Sequence, residues 1–242
     1  MSEWWEHPLL YTRGGSHAYG LATPESDIDE RGVAFPPIRW ILGFSPAPTS
    51  ETHEGHVPHD VVVHSLRKFL SLALKGNPNI LEILFCRDED ILTITPVGES
   101  LRTMRGEFLT QQSYQSLGGY AAHQLYRMRH HASTHGTHAP LIAQFGYDTK
   151  NAMHLIRLLR MGYELLTTGT LSVYRSDREE LLAIRRGEFS EEDIQRMAQD
   201  LDQRCQEALK TTDLPVHPNR EKIEAWLMGA QFQYVMEGEA NG

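Results

Sequence analysis

The chain has 242 residues, of which 40% are hydrophobic and 23% charged, and its formal net charge is −9. This composition is typical of an ordinary globular protein and excludes the disordered and fibrous classes. The length suffices for one large domain or two small ones. The acidic balance argues against tight nonspecific binding to nucleic acid, although it leaves room for a local basic cleft.

The sequence also bears on localisation. It contains no apolar run near the roughly 20 residues that cross a bilayer, and its first residues lack the basic and apolar regions of a secretory signal. The two cysteines, Cys86 and Cys205, lie too far apart to form a metal or redox motif, so we predict free thiols in a reducing compartment. We therefore expect a cytoplasmic protein without a membrane partner.

The first part of the chain mixes β-type runs with helical spacing. Prolines follow the second run and end it, and Asn77-Pro78 provides an N-cap with proline at the first helical position. The predicted strands are 9–12, 26–35 and 60–64, the predicted helices are 16–21, 66–75 and 78–85, and 44–58 is predicted as a long loop.

The second part of the chain is predicted to be helical, with a His/Gly/Thr-rich interruption at 131–140. The clearest helix is 150–166, followed by helices near 190–210 and 218–236. One stripe of the first helix is apolar, and Lys150, His154 and Arg157 fall on the opposite face. These patterns predict two domains, 1–107 and 108–242.

The residues that point to chemistry lie near the N-terminus. Gly14-Gly15-Ser16 precedes a short helix, and such a turn lets backbone N–H groups approach a phosphate. Asp27 and Asp29 are two residues apart on a predicted strand, so both carboxylates point to one side and suit Mg²⁺. Either motif alone is a common structural feature, but their combination in this order favours function.

A two-metal transfer reaction needs a third carboxylate from a neighbouring strand. Asp60, which opens the run Val61-Val62-Val63, is the first choice. Glu51 and Glu54, in the preceding loop, are alternatives.

The motif 14–29 resembles the signature of DNA polymerase β-like nucleotidyltransferases, and more narrowly that of the prokaryotic and phage RlaP group associated with RNA repair. The resemblance covers most of the chain, since it extends to four further stretches. These are 66–70, 77–82, 146–158 and 184–188.

The resemblance implies an α+β fold, in which a small mixed β-sheet core flanked by helices precedes an α-helical C-terminal domain. It implies that Asp27 and Asp29, with Asp60, bind two Mg²⁺ or Mn²⁺ ions, and that Gly15 and Ser16 bind a nucleoside triphosphate. An NMP would then pass to an acceptor hydroxyl with release of pyrophosphate. RNA is the first choice of acceptor, and a protein hydroxyl and a small molecule are the alternative acceptors. Outside the enzyme class, the alternative is an inactive nucleotide-binding module.

Several further residues have both a functional and a structural interpretation. Lys150, His154 and Arg157 lie on a face without balancing carboxylates, and they belong to the resemblance; we predict that they line the phosphate-binding cleft. His17 either contacts the triphosphate or packs, and Tyr147 either stacks on a base or packs.

Two groups of histidines stand apart from this constellation. Neither has the ligand spacing of a zinc site, so we expect solvated loop residues rather than metal ligands. The groups are His53, His56 and His59, and His130, His131, His135 and His138.

Overall fold

A computed structural model describes residues 4–24, 26–44, 50–54, 59–130 and 139–240. For residues 50–54, 59, 129–130, 139–140 and 238–240 the description covers the backbone only. The chain forms two compact units. The first comprises the residues up to Phe108 together with those from His217 onward, and the second is Leu109–Val216.

The first unit is built on a mixed β-sheet with the strand order β3-β4-β2-β1-β5. The strands β2 and β4 are parallel, whereas the other neighbouring pairs are antiparallel. The strands are β1 (Pro8–Arg13), β2 (Ile28–Ala34), β3 (Ser50–Glu54), β4 (His59–Ser65) and β5 (Ile91–Ile94). The α+β fold class predicted from the sequence is confirmed.

Helices pack against this sheet and contribute buried apolar side chains to the core of the unit. Residues such as Leu66, Phe69 and Leu81 are fully buried, and Asn77 caps its helix by accepting a hydrogen bond from the backbone N–H of Asn79 at 3.0 Å. The helices of the first unit are α1 (Gly15–Tyr19), α2 (Ile38–Leu42), α3 (Leu66–Ala73), α4 (Pro78–Phe85), α5 (Pro96–Thr103) and α11 (Arg220–Ala240).

The helix α11 belongs to the first unit although it is distant in sequence. The ring of Tyr234 stacks on that of Phe35 with centroids 4.3 Å apart, and the indole N–H of Trp226 donates to the hydroxyl of Ser100 at 2.9 Å. The observed grouping therefore differs from the predicted division into 1–107 and 108–242, because these aromatic contacts bind residues 217–242 to the sheet unit.

The second unit is helical. It contains α6 (Gln111–His130), α7 (Ala139–Phe145), α8 (Thr149–Thr168), α9 (Arg178–Arg185) and α10 (Glu191–Leu209). The helix α8 is central and packs against the other four. Asp148 caps its start by accepting from the N–H of Asn151 at 2.9 Å, and Gly169 ends it in the left-handed conformation. Ser190 and Asp193 form a capping box at the start of α10.

Most predicted elements are present with shifts of a few residues at their ends. The predicted apolar stripe of α8 is buried except for the half-buried Tyr163, and Asn151 and Arg157, which lie outside the stripe, are buried as well. The predicted loop 44–58 contains the edge strand β3. No helix among the described residues is both long and apolar enough to span a membrane.

Candidate active site

The sheet brings two of the predicted carboxylates side by side. Because β2 and β4 are parallel neighbours, Asp29 lies in register with Asp60, and residues directly across a strand pair share one face of the sheet. Asp27 lies one residue before β2, at the same end, and is exposed. The three aspartates therefore gather where these two strands begin.

The predicted glycine turn packs directly on Asp29. The N–H of Gly14 donates to the backbone carbonyl of Asp29 at 2.8 Å. Gly15 has φ +57°, and a Cβ on it would overlap with Oδ2 of Asp29. Only glycine combines this backbone conformation with this close approach, which explains why the turn needs glycine at this position.

Ser16 and His17 follow in the first turn of α1. Both side chains are half-buried, and Nε2 of His17 is buried without a hydrogen-bond partner among the described residues. Gly20 then ends the helix in the left-handed conformation. The turn thus holds Ser16 and His17 next to the residue that packs on Asp29.

A buried glutamate, Glu82 of α4, lies beneath the turn. It is 6% exposed, and its carboxylate accepts a hydrogen bond from the N–H of Gly15. A Cβ on Gly14 would lie 2.9 Å from Oε1 of Glu82 and 2.9 Å from Cγ of Arg31. Glu82 therefore fixes the position of the glycine turn from inside the unit.

Arg31 lies between the paired aspartates. Its Nη2 is 2.6 Å from Oδ1 of Asp29 and 3.6 Å from Oδ2 of Asp60, and its Nη1 donates to the backbone carbonyl of Asp60 at 2.8 Å. Arg31 is two residues beyond Asp29 on β2, so both side chains leave the same face of the sheet. A single guanidinium thus neutralises part of the charge of the pair.

These residues suit a divalent cation. Asp29 and Asp60 offer hard oxygen ligands, Oδ1 of Asp60 is buried without a hydrogen-bond partner in the described part of the chain, and the guanidinium of Arg31 marks a position where positive charge is stabilised. Within the described residues, no three His, Cys, Asp or Glu side chains are arranged as a preformed metal site.

Two titratable groups near the aspartates have shifted pKa values. Burial, together with the charges of Lys68 and Arg31, lowers the pKa of His64 on β4 below its ordinary value. On the other side of β2, burial and the hydrogen bond to Glu30 raise the pKa of Tyr11; the Tyr11 hydroxyl donates to Oε2 of Glu30 at 2.6 Å. We conclude that His64 is neutral near pH 7 and that Tyr11 is not a source of negative charge.

The alternatives for the third carboxylate lie on the edge strand. The backbone of Glu54 pairs with Asp60, and that of Glu51 pairs with Val63. Their side chains are outside the described part of the structure. The side chain of Asp60 contacts the Arg31 that also binds Asp29.

The predicted basic residues lie in the second unit, on α8. Lys150 and His154 are half-buried, whereas Arg157 is 8% exposed, and Nη1 of Arg157 donates to Sδ of Met161 at 3.4 Å. The expectation of an open polar face is therefore corrected for Arg157, because α8 packs against helices on several sides. That these three residues contact the nucleotide remains a prediction.

Tyr147, predicted either to stack on a base or to pack, is 4% exposed in the second unit. Its hydroxyl donates to the backbone carbonyl of Phe189 at 2.8 Å, and burial raises its pKa. Because stacking needs an exposed ring face, this placement favours packing over base stacking.

The structure does not describe the side chains of these two histidine groups. His56, His131, His135 and His138 lie outside the described residues, and the side chains of His53, His59 and His130 do too. The predicted absence of a role for them is therefore not tested. Both cysteines are free, as predicted, and both are buried.

The sequence interpretation missed Arg31 and Glu82. Each had a detectable signal. Arg31 continues the alternation of Asp27 and Asp29 along one face of β2, and Glu82 is the one charged residue in the otherwise apolar run Ile80–Phe85. An isolated charge among buried residues indicates a specific partner.

Two known proteins are similar to parts of this chain. An uncharacterized 38.9 kDa protein from the nrdC-mobD intergenic region of Enterobacteria phage T4 is 30% identical over 115 residues, which cover 43% of this chain and 34% of that protein. The chain thus spans about a third of the length of this relative.

A solved structure, that of a nucleotidyltransferase-like protein from Exiguobacterium sibiricum, is 11% identical and superposes with a TM-score of 0.32. The match covers 84% of this chain and 68% of the other. A similarity at this level carries no conclusion about the site.

The match to a family is far more extensive. The model of the RNA repair pathway DNA polymerase beta family, RlaP, matches residues 3–229, a range that contains the glycine turn, the three aspartates and helix α8. The chain is therefore a member of the RlaP family of DNA polymerase β-type nucleotidyltransferase-like proteins.

Proposed function

We propose that this chain is a metal-dependent nucleotidyltransferase, which moves an NMP from an NTP to an acceptor hydroxyl and releases pyrophosphate. The observation that carries the proposal is the register of Asp29 with Asp60, under a glycine turn that packs on Asp29. Membership of the RlaP family supports the reaction class. Asp60 is the preferred third carboxylate because it is the in-register partner of Asp29.

The chain's own residues have distinct roles in this proposal. The turn at Gly15 and Ser16, with His17 beside it, binds the triphosphate, because its backbone can approach closely. Asp27, Asp29 and Asp60 would hold two Mg²⁺ or Mn²⁺ ions. Bound divalent cations would neutralise charge on the triphosphate and lower the pKa of the acceptor hydroxyl.

The transfer step is a substitution at the α-phosphorus of the NTP. The acceptor hydroxyl gives its proton to the carboxylate of Asp60 while its oxygen forms a bond to the α-phosphorus of the NTP. The bond from the α-phosphorus to the bridging oxygen breaks, and pyrophosphate leaves with that oxygen. Positioning and charge neutralisation supply most of the rate enhancement in such reactions.

The basic residues of α8 keep the role that the sequence predicts for them. Lys150 and His154 are half-buried on α8, and we assign them to contacts with the triphosphate or with the phosphates of the acceptor. Arg157 is buried in the second unit, so its contact with a phosphate rests on the sequence alone. Glu82 contributes through the Gly15 N–H and is a positioning residue.

RNA is the proposed acceptor, because the family description names an RNA repair pathway. The net charge of −9 and the burial of Arg157 favour a second candidate, a protein hydroxyl, since both reduce the attraction of nucleic acid. An inactive binding module is disfavoured, because Asp27, Asp29 and Asp60 are all present.

A labelling experiment tests the reaction and the acceptor together. The protein is incubated with Mg²⁺ and each of four α-³²P NTPs, with a tRNA pool, with nicked or truncated RNA, or with cell lysate. The matched control is Asp29→Asn, which removes one charge but keeps the size of the side chain. We expect label on RNA with the native protein and none with Asp29→Asn.

The outcomes separate the alternatives. Label that appears only on protein would replace the RNA acceptor by a protein hydroxyl. Label that persists in Asp29→Asn at the native rate would contradict the assigned site itself.

A further inference from the structure

The guanidinium of Arg31 occupies the place where the aspartates would offer oxygens to a cation. It is 2.6 Å from Oδ1 of Asp29 and 3.6 Å from Oδ2 of Asp60. It is also anchored through Nη1 to the backbone carbonyls of Asp60, at 2.8 Å, and Glu30, at 3.1 Å. The side chain of Arg31 is thus held at four points, two of them the predicted metal ligands.

Around Arg31 the negative charges of the carboxylates exceed the single positive charge of the guanidinium. Asp29 and Glu82 lie against the glycine turn, Asp60 lies in register with Asp29, and Arg31 contacts both aspartates. Two adjacent carboxylates on parallel strands repel each other unless a positive charge lies between them. In the metal-free state Arg31 therefore supplies that charge.

A guanidinium and a metal ion cannot use the same oxygens at once. Mg²⁺ needs ligand oxygens at about 2.0–2.1 Å, so an ion bound to Asp29 and Asp60 would stand within contact distance of Nη2. Two positive charges at that separation repel strongly in a site of this partial burial. Metal binding through Oδ1 of Asp29 and Oδ2 of Asp60 thus requires the guanidinium to leave them, and an ion on the other oxygen of either carboxylate would still be repelled by the nearby guanidinium.

We propose that Arg31 is a built-in counter-ion of the Asp29–Asp60 pair, which stabilises the metal-free site and competes with the divalent cation for it. This inference rests on the proposed function, since it assumes that the pair binds metal. It deepens that function by making metal entry a replacement reaction. Once released, the guanidinium can bind a phosphate, for which its planar fork is suited.

Metal affinity tests the proposal without reference to turnover. Binding of Mn²⁺ is measured by the electron paramagnetic resonance of the free ion, and thermal unfolding is followed with and without Mn²⁺. The variant is Arg31→Gln. The matched control is Arg67→Gln, which removes the same charge from an exposed position on α3, beyond the end of β4 opposite to Asp60.

Competition predicts opposite effects on the two readouts. Arg31→Gln should bind Mn²⁺ about five- to tenfold more tightly, as expected for removing one partly exposed charge contact. Its unfolding temperature should fall without metal and recover with Mn²⁺. Arg67→Gln should match the native protein in both. A purely structural arginine would also lower the unfolding temperature, but Mn²⁺ would then raise it by no more than it raises that of the native protein.

Two further variants keep the test decisive. If Arg31→Gln does not fold, Arg31→Lys replaces it, because an ammonium reaches only one carboxylate and should give a smaller rise in affinity, about twofold. Unchanged or weaker Mn²⁺ binding in the tested variant overturns the proposal. If Mn²⁺ binding is then still lost in Asp29→Asn, the proposal about Arg31 fails but the proposed function stands. If the native protein binds no Mn²⁺, the proposed function fails as well.

Discussion

Each unit contains a network of arginines and carboxylates, and the two networks differ in how closely their charges are paired. In the second unit, Arg175 contacts Glu164 at 2.8 Å and Asp177 at 2.9 Å. There Arg160 contacts the same Asp177 at 2.7 Å, together with Glu180 at 2.8 Å. Two arginines thus share three carboxylates. In the first unit, one arginine serves both Asp29 and Asp60, with Asp27 and Glu82 nearby.

The pKa values of the second network agree with a structural role. Burial acts against the charge of Asp177, but hydrogen bonds from Arg160 and Arg175 outweigh it and hold the pKa of that carboxyl below its ordinary value. Burial likewise opposes the charge of Arg175, yet Asp177 and Glu164 raise its pKa. The contacts of the second network are all 2.7–2.9 Å long, whereas Asp60 lies 3.6 Å from Arg31 and its Oδ1 is buried without a hydrogen-bond partner among the described residues. The aspartate pair is therefore less completely paired and better able to bind a further cation.

The largest expected effect on stability lies in the second network. Arg175→Met should destabilise the protein by about 2–3 kcal/mol, because it removes the arginine partner of the half-buried Glu164 and one of the two arginines that contact Asp177. Urea unfolding followed by circular dichroism measures the loss. The control is Arg178→Met, whose contact with Glu179 is 3.7 Å long and more exposed, and which should cost about 1 kcal/mol or less. Equal losses in the two variants would contradict the structural role of the second network.

The stability of the protein should also depend on pH through His64, which lies on β4 near the aspartates. We expect this effect to be smaller than that of Arg175→Met. Because the pKa of His64 is below its ordinary 6.5, the unfolded chain binds a proton that the folded protein does not, so stability falls as the pH falls below about 6.5. His64→Asn should therefore lose less stability than the native protein between pH 7.5 and 5.5. Thermal unfolding at both pH values checks this.

The exposed His123 of α6 provides the control for that comparison. His123→Asn should reproduce the pH dependence of the native protein. If His64→Asn also does so, burial of His64 has no measurable effect on the acid stability.

The elements defined by local sequence were predictable. β-branched residues at Val61–Val63 indicated β4, and Asn77-Pro78 indicated the start of α4. The edge strand β3 was not predicted, because its polar residues take extended structure only by pairing with β4. The membership of α11 in the first unit was missed for a similar reason, since it depends on the long-range contact of Tyr234 with Phe35.

The candidate site was predictable in its chemistry and less so in its geometry. The spacing of Asp27 and Asp29 indicated paired carboxylates, but only the strand order places Asp60 in register with Asp29. The prediction for α8, made from its periodicity, assumed that a single face of the helix is buried. Because that helix packs against four others, Arg157 is buried instead of exposed. Side chains whose environment is set by tertiary packing cannot be assigned from spacing alone.

The most direct test of one shared site at Asp29 and Asp60 is the rate of pyrophosphate release by Asp29→Asn, Asp60→Asn and the double variant. Residues that act as one unit lose activity non-additively. Each single variant should lose at least about 10³-fold relative to the native protein, and the double variant should lose no more than the worse single one. Native-like release by Asp60→Asn would contradict the account, because Asp60 would then lie outside the site.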